Sequence, residues 1–313
     1  MPFINKNYSL SEPLPAFLFL MRTLGVRQGE AQKIVATKRL RVNGQTVEDS
    51  GEKIVGEIEV LQFVPSPTGK KPLFETPDFA LFEKPSGVLV HPTTYRTPYS
   101  MLDEIRHLYG PDANAVHRID METSGLLLAS RNKPAEKRLK TLFERRGVHK
   151  AYLAWVRGKL EKDMQIDAPL RQNEDFSTIK LKMLIDPAGK PASTLIKPLR
   201  YDLDHDATLV EAIPLTGRQH QIRVHLFHVK HPILGDPIYG VPTSIAIKYL
   251  DKILTNEERI FYMGAPRLLL HAYKLEFSDN GVDYKFISEV DFESHKKLIA
   301  LPKKRCCVDS ASS

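Results

Sequence analysis

Cysteine is nearly missing from this sequence: two residues, Cys306 and Cys307, sit side by side near the end of 313. Neighbouring cysteines close no long loop, so a disulfide framework is excluded and a reducing compartment is expected. Long apolar runs are missing as well. The stretch from Leu14 to Met21 is far too short to span a bilayer, no cationic segment precedes it and no small-residue cleavage site follows promptly. It reads as a core-facing helix, so we expect no membrane association, no export signal and a cytoplasmic location. Internal repeats are absent, and only the polar tail after Arg305 approaches low complexity, which excludes solenoid arrays.

What is present is enough apolar material for a sizeable core, 42% of residues, together with 45 Lys and Arg against 38 Asp and Glu. The net charge of +7 favours a polyanionic partner. After an N-terminal extension at 1–13, the first unit spans 14–64. Leu14 to Leu24 reads as a helix, Gly25 and Gly29 interrupt the pattern, and Glu30 to Arg39 resumes it with Ile34 and Val35 on an apolar face. The period then changes: Leu40, Val42, an Asn43-Gly44 turn and Val47 predict a hairpin, and Ile54 to Phe63 alternates as a closing strand. Between Arg22 and Arg41 there are six basic residues and one acidic residue. That concentration makes Arg22, Lys38, Arg39 and Arg41 candidate contacts for a polyanion.

Pro65, Pro67, Pro72 and Pro77 mark 65–77 as a linker. A larger domain is expected over 78–300 and a polar tail over 301–313. Its strand-like segments are Ala80 to Glu83, Gly125 to Ser130, Tyr152 to Arg157, Thr194 to Leu199, Thr208 to Ile213 and Leu268 to Phe277. Between them a helix is predicted up to Arg146, capped by Asn132, with Pro134 in its first turn and Ala135, Leu139, Leu142 and Phe143 as its stripe. Strands and helices do not alternate as βαβ units, so an α+β fold around a mixed or antiparallel sheet is expected. Lys137 and Lys140 on that basic helix join the candidate polyanion contacts.

Three constellations carry chemistry. His117-Arg118-Ile119-Asp120 followed by Thr123-Ser124-Gly125 sets a carboxylate in a loop entering an apolar strand, an anchored yet accessible position. Lys150-Ala-Tyr152-Leu-Ala154 alternates, presenting Lys150, Tyr152 and Ala154 on one sheet face. Thr216-Gly-Arg218-Gln-His220-Gln-Ile222-Arg223 leads through a glycine turn into a helix with Ile222, Leu226 and Val229 as its buried stripe; its free amides and Arg218 suit a phosphate. The histidines at 220, 225, 228 and 231 lack HExxH spacing and cysteine partners, so no metal is expected.

These blocks, in this order, resemble the RluA-type family of RNA pseudouridine synthases. Glu83-Lys-Pro-Ser-Gly87 through His91-Pro92, His231-Pro-Ile-Leu-Gly-Asp236 with Tyr239-Gly240, and Leu268 to Ala272 extend the likeness over roughly Phe79 to Phe277. Ile119 stands where the family has leucine. The first unit resembles the S4 RNA-binding module through Leu40-Arg-Val-Asn-Gly44, although Arg27-Gln-Gly29 replaces the usual Ser-Arg-Ser.

The resemblance implies a catalytic Asp120, an active-site Tyr152, an aspartate-paired Arg223, and an Arg118 that enters the RNA as the target base leaves. It implies an isomerase without a cofactor or metal, acting as a monomer on RNA. Large-subunit ribosomal RNA is the expected substrate and transfer RNA the alternative. A non-catalytic RNA-binding or ribosome-assembly protein would dispense with Asp120, Tyr152 and Arg223. A carboxylate-dependent hydrolase would need a second carboxylate near Asp120, for which Glu122 is the nearby candidate.

Overall fold

The computed structural model describes residues 2–173, 179 and 182–301, so Cys306 and Cys307 lie outside the described residues. The chain divides into two compact units, residues 1–70 with 91–110, and residues 71–90 with 111–313.

The first unit pairs a four-stranded sheet with three helices. Its strands are β1 (Phe3–Pro15), β2 (Leu40–Val42), β3 (Gln45–Thr46) and β4 (Lys53–Phe63), in the order β1-β4-β2-β3. Helices α1 (Ala16–Leu24) and α2 (Gln28–Ala36) follow β1, and α3 (Met101–Tyr109) comes from the later segment. Phe19, Leu20, Ile34, Val35, Leu40 and Ile58 form the core, with Tyr8, Leu10 and Leu14 packed on its side.

Two expectations change here. Residues 3–15, read as an extension, form an edge strand antiparallel to β4 from Phe3↔Phe63 to Pro15↔Lys53. An edge strand buries only one side, so polar residues at 5, 6, 7 and 9 hide the alternation, and a register shift between Leu10 and Leu14 breaks it further. Residues 91–110, assigned above to the larger domain, pack in this unit. The capping box of α3 explains part of that: Asp103 bonds the backbone N–H of Ser100 at 2.9 Å and also that of Ser66 at 3.0 Å. Glu104 likewise accepts from the N–H of Thr68 at 2.6 Å, and the Tyr95 hydroxyl donates to the carbonyl of Thr37 at 2.9 Å.

The second unit is built on a ten-stranded mixed sheet. Its early strands are β5 (Phe74–Glu75), β6 (Phe79–Lys84), β7 (Asn114–Ala115), β8 (Ser124–Ser130) and β9 (Val148–Arg157). The expected linker therefore carries a short strand. Next come β10 (Met164–Asp167), a small separate pair β11 (Leu170–Gln172) and β12 (Met183–Ile185), then β13 (Ser193–Asp202), β14 (Ala207–Pro214), β15 (Leu270–Asp279) and β16 (Val282–Ile287). The main order is β10-β13-β14-β9-β15-β8-β6-β5, with β16 beside β15 and β7 beside β8. Strands β8 and β15 run parallel through His271↔Ser124 and Ala272↔Gly125, and the other pairs are antiparallel.

Gly125 is obligatory at that crossing. It holds φ +113, and a Cβ there would lie 2.3 Å from the carbonyl oxygen of Ala272.

Helices α4 (Lys133–Glu144), α5 (Gln221–His228), α6 (Thr243–Leu250) and α7 (Asn256–Met263) complete this unit. The Asn132 side chain caps α4 by accepting from the N–H of Ala135 at 2.9 Å. Ala135 and Leu139 are buried with Leu142 and Phe143 packed beside them, as the stripe predicts, and Ile222 and Leu226 do the same for α5. Among the described residues no helix is long and apolar enough to cross a membrane.

Candidate active site

Asp120 lies in the loop between β7 and β8, where the sequence pattern puts it. Three bonds from the preceding turn at 84–88 brace that loop. The buried Lys84 ammonium and the Gly87 amide both donate to the carbonyl of Met121, at 2.9 Å each, and the Ser86 hydroxyl donates to that of Glu122 at 2.6 Å. Lys84 also caps the carbonyls of Pro85 and Val88, at 2.9 and 2.7 Å. Burial pulls its pKa down to about 7, and its three carbonyl partners commit the amine to fixing backbone.

A second anchor lies two residues beyond Asp120. Glu122 accepts from the Tyr249 hydroxyl of α6 and from the Arg259 guanidinium of α7, both at 2.6 Å. It is engaged there and is not among the residues that line the Asp120 cavity. The second carboxylate that a hydrolase would need is therefore not supplied by Glu122.

Arg223, on the first turn of α5, meets Asp120. Its Nη1 donates to Asp120 Oδ2 at 3.0 Å, while Nε and Nη2 donate to the two oxygens of Asp236 at 2.7 and 2.9 Å. Asp236 Oδ1 also accepts the N–H groups of Ile238 and Tyr239, at 2.8 and 3.0 Å. A fork gripped on one edge by a fixed carboxylate presents its free edge in a set direction. Burial would raise the pKa of Asp120, but Arg223, with His220 and Arg118 adding to it, holds the group below its ordinary value. Asp120 is ionised and still about a quarter exposed, with 26% of its side chain accessible, whereas Arg223 is buried.

His220 takes the unusual φ of 54° at the start of α5 and sets its Nε2 3.7 Å from Asp120. Its Nδ1 lies 3.0 Å from the Tyr239 hydroxyl, which already accepts from the Met183 N–H at 2.9 Å. When that hydroxyl donates to Nδ1, the ring proton is on Nε2, the side facing Asp120. Burial brings the His220 pKa down to about 4, so the ring acts as a neutral dipole.

Gln221 fixes the turn before α5. Its amide donates to the Ser193 carbonyl and the Thr194 hydroxyl, at 2.8 and 2.9 Å, and its oxygen accepts from the Thr216 hydroxyl and the Arg218 N–H, at 2.6 and 3.0 Å.

These elements surround a cavity of about 390 Å³ whose lining includes Asp120, Tyr152, Arg223, Arg118, Lys150 and Arg218. The volume suits one nucleoside-sized group. Tyr152, on β9, is held as the neutral phenol by burial and by the negative charge of Asp120. His117 is a packing residue: its Nε2 accepts the Leu128 N–H at 2.9 Å, its ring stacks on Phe143 at 4.6 Å, and burial lowers its pKa to about 3.

The remaining expected contacts divide. Arg118 is exposed at the cavity, and Arg218 lies beside it with Nε donating to the Pro191 carbonyl at 3.2 Å. Lys137 is exposed on α4, but Lys140 is bound to Glu136 at 2.7 Å. In the first unit Arg22 and Arg41 are exposed, and Lys38 lies 3.5 Å from Glu48. Arg39 is half-buried, donating to the Leu61 carbonyl at 2.7 Å with its guanidinium 5.6 Å from the Phe3 ring centroid; the strand that engages it closes what sequence alone presents as a free cation. Of the four histidines, His225 bonds Thr194 and Ala168 at 2.9 and 3.0 Å, and His231 bonds the Arg157 carbonyl at 2.9 Å. Among the described residues no cluster of three or more His, Cys, Asp or Glu is placed to hold a metal ion.

This geometry can be set against known proteins. Residues 78–228 match the family model described as RNA pseudouridylate synthase. A Helicobacter pylori protein named as an uncharacterized RNA pseudouridine synthase is 38% identical over 289 residues, covering 92% of this chain and 94% of that protein. The chain belongs to the RNA pseudouridine synthase family. Its members isomerise uridine to pseudouridine in RNA, and this chain is an enzyme of that class. The ribosomal large subunit pseudouridine synthase D of Escherichia coli is 30% identical over 286 residues, with 84% of this chain and 86% of that protein covered. Among solved structures, human RNA pseudouridylate synthase domain containing 1 superposes with a TM-score of 0.56 at 26% identity, covering 72% of this chain and 86% of that one.

Sequence reasoning named Asp120, Tyr152 and Arg223, and the structure brings all three to one cavity. It did not assign roles to Asp236, His220 or Lys84. Asp236 stood in a quoted block, but only the fold shows that its acceptors face Arg223.

Proposed function

We propose that this pseudouridine synthase acts on large-subunit ribosomal RNA, with Asp120 as its essential carboxylate and with the target uridine turned out of the RNA stack into the Asp120 cavity. The observation that carries the reading is the pairing of an ionised, partly accessible Asp120 with the buried Arg223 at 3.0 Å in a cavity that Tyr152 also lines. The name of the Escherichia coli relative supports the choice of RNA.

Isomerisation breaks the ribose C1′–N1 bond, forms C1′–C5, moves the C5 proton off the ring and returns a proton to N1. Atoms and electrons balance within uridine, so no donor or oxidant enters. The protein supplies charge, position and proton handling. Asp120 faces the ribose as an anion kept ready by Arg223. The Tyr152 ring packs against the extruded uracil, and its hydroxyl, protonated at rest, bonds the base as the C5 proton departs.

Extrusion costs a few kcal/mol, which Arg118 offsets by filling the vacated place in the stack. Arg218 and Lys137, with Arg22 and Arg41 of the S4-like unit, add phosphate affinity more than sequence choice.

The test is Asp120→Asn. It should bind an unmodified large-subunit ribosomal RNA transcript as the parent does, yet form no pseudouridine by adduct-directed primer extension. Pseudouridine formed at the parental rate would remove Asp120 from its role, and mapping total RNA with and without the protein identifies the uridine.

A further inference from the structure

Lys150 is the one cavity-lining residue of its strand to which the reading above gives no task. It projects from the same face of β9 as Tyr152 and lines the same cavity. Its neighbours on α4 are already paired: Lys133 and Lys140 each reach Glu136 at 2.7 Å, and Arg138 is bound to Asp78 and Asp279, also at 2.7 Å. Lys150, by contrast, has no carboxylate within 4.0 Å among the described residues. Its ammonium lies 5.7 Å from the centroid of the Phe143 ring, and a Cβ added to Gly217 would come within 3.8 Å of it. The glycine turn that delivers Arg218 therefore runs beside the Lys150 head group.

We infer that Lys150 takes a backbone phosphate of the RNA next to the nucleotide that enters the Asp120 cavity, forming with Arg218 a phosphate subsite at the cavity wall. The inference rests on the reading of that cavity as the RNA site.

The physical argument is one of compensation. A half-buried ammonium without a counter-ion is disfavoured in the resting protein, and burial draws its pKa down. An approaching anion removes that penalty. In RNA the anionic group is the phosphate, whereas uracil offers only neutral carbonyls. Arg218 reaches the same wall with its Nε on the Pro191 carbonyl, leaving the terminal nitrogens of the fork as further donors.

The experiment measures the salt dependence of binding to the unmodified transcript for the parent, Lys150→Gln and Lys150→Arg, alongside single-turnover rates. Each neutralised phosphate contributes about 0.7 to 0.9 to the slope of log K against log salt. Lys150→Gln should lower the slope by about that amount and weaken binding roughly tenfold while changing the saturated rate little. Lys150→Arg should restore the slope. Lys150→Met serves if the glutamine variant fails to fold, with the fluorescence of Trp155, buried in this unit, reporting folding.

An unchanged slope in a folded Lys150→Gln or Lys150→Met overturns the inference, and a lower saturated rate at unchanged slope would place Lys150 on the base instead. Asp120→Asn run in parallel separates the two readings. If it still makes pseudouridine, the site reading fails; if it is inactive while the Lys150 slope is unchanged, only the phosphate assignment fails.

Discussion

Asp236 holds no RNA in the proposed mechanism, and replacing it with asparagine tests whether Arg223 is aimed by its far edge. Asp236 accepts four hydrogen bonds: two from Arg223 and one each from the N–H groups of Ile238 and Tyr239. An amide has one oxygen to offer. If that oxygen takes the Oδ1 position it keeps three of the bonds, and the NH₂ is turned onto Arg223 Nε, donor against donor. The opposite orientation keeps one bond and sets the NH₂ against three donors, so the first is favoured. What is lost is one charge-assisted bond at 2.7 Å, about 1.5 to 3 kcal/mol. The larger penalty of an unpaired buried charge, about 3 to 5 kcal/mol, does not apply in full because Asp120 still faces the guanidinium. The second unit of Asp236→Asn should therefore melt about 2 kcal/mol weaker in urea, followed through the single tryptophan, Trp155. The guanidinium should tilt toward Asp120, and a misplacement of this kind costs roughly 100-fold in the single-turnover rate. RNA affinity, carried by phosphates elsewhere, should hold. A variant as stable and as fast as the parent would show that Asp236 does not orient Arg223.

Two further outcomes follow from the same geometry. His220 and His271 are held neutral by burial, each with its pKa lowered to about 4. The unfolded chain binds those protons near pH 6.5, so stability should be full above that pH and fall by a few kcal/mol as pH drops from 6.5 toward 4. Denaturant midpoints that stay level across this window would contradict the assignment. Glu122→Gln removes the charge that pairs with Arg259, whose side chain is 15% exposed, at a cost of about 3 kcal/mol. The α6–α7 hairpin should then be cut faster in limited proteolysis and the isomerisation rate should fall, whereas unchanged protection would mean that Glu122 does not tie the hairpin to the Asp120 loop.

Legibility in the sequence followed locality. The caps and stripes of α4 and α5 are short-range patterns, and both helices lie where Asn132, Pro134 and the Ile222 to Leu226 spacing put them. Segments whose partners are distant were misread. Strand β1 looks polar because one side faces solvent, and its reason for existing is β4, about fifty residues away in sequence. Residues 91–110 carry no composition change to separate them from the larger domain; what assigns them is Asp103 and Glu104 closing on the backbone at 66 and 68. Likewise Arg39 reads as a free cation until the Leu61 carbonyl is beside it. Asp120, Tyr152 and Arg223 were named because each sits in a short, ordered block that resembles the family's pattern. Asp236 was passed over as a site residue because its role is spatial: the loop after α5 must turn back through Gly235, where a Cβ would fall 1.7 Å from the Arg267 carbonyl oxygen.

Net charge turns out to be a weak guide to what this site does with a polyanion. At its centre are two carboxylates and one guanidinium, a local charge of −1 that RNA would not approach unaided. Further positive groups surround that centre, where Arg118, Lys150 and Arg218 line the same cavity. Such an order separates two tasks that a uniformly basic cleft would confuse. In the proposed mechanism the outer cations hold phosphates and set how deep the strand descends, and the inner anion meets only the ribose that has been turned inward. Arg223 is committed elsewhere, since three of its five N–H groups are engaged by Asp236 and Asp120 and its side chain is buried. A guanidinium so buried and paired is poorly placed to take a phosphate, so in the proposed mechanism the RNA backbone does not displace Asp120 from the partner that keeps it ionised.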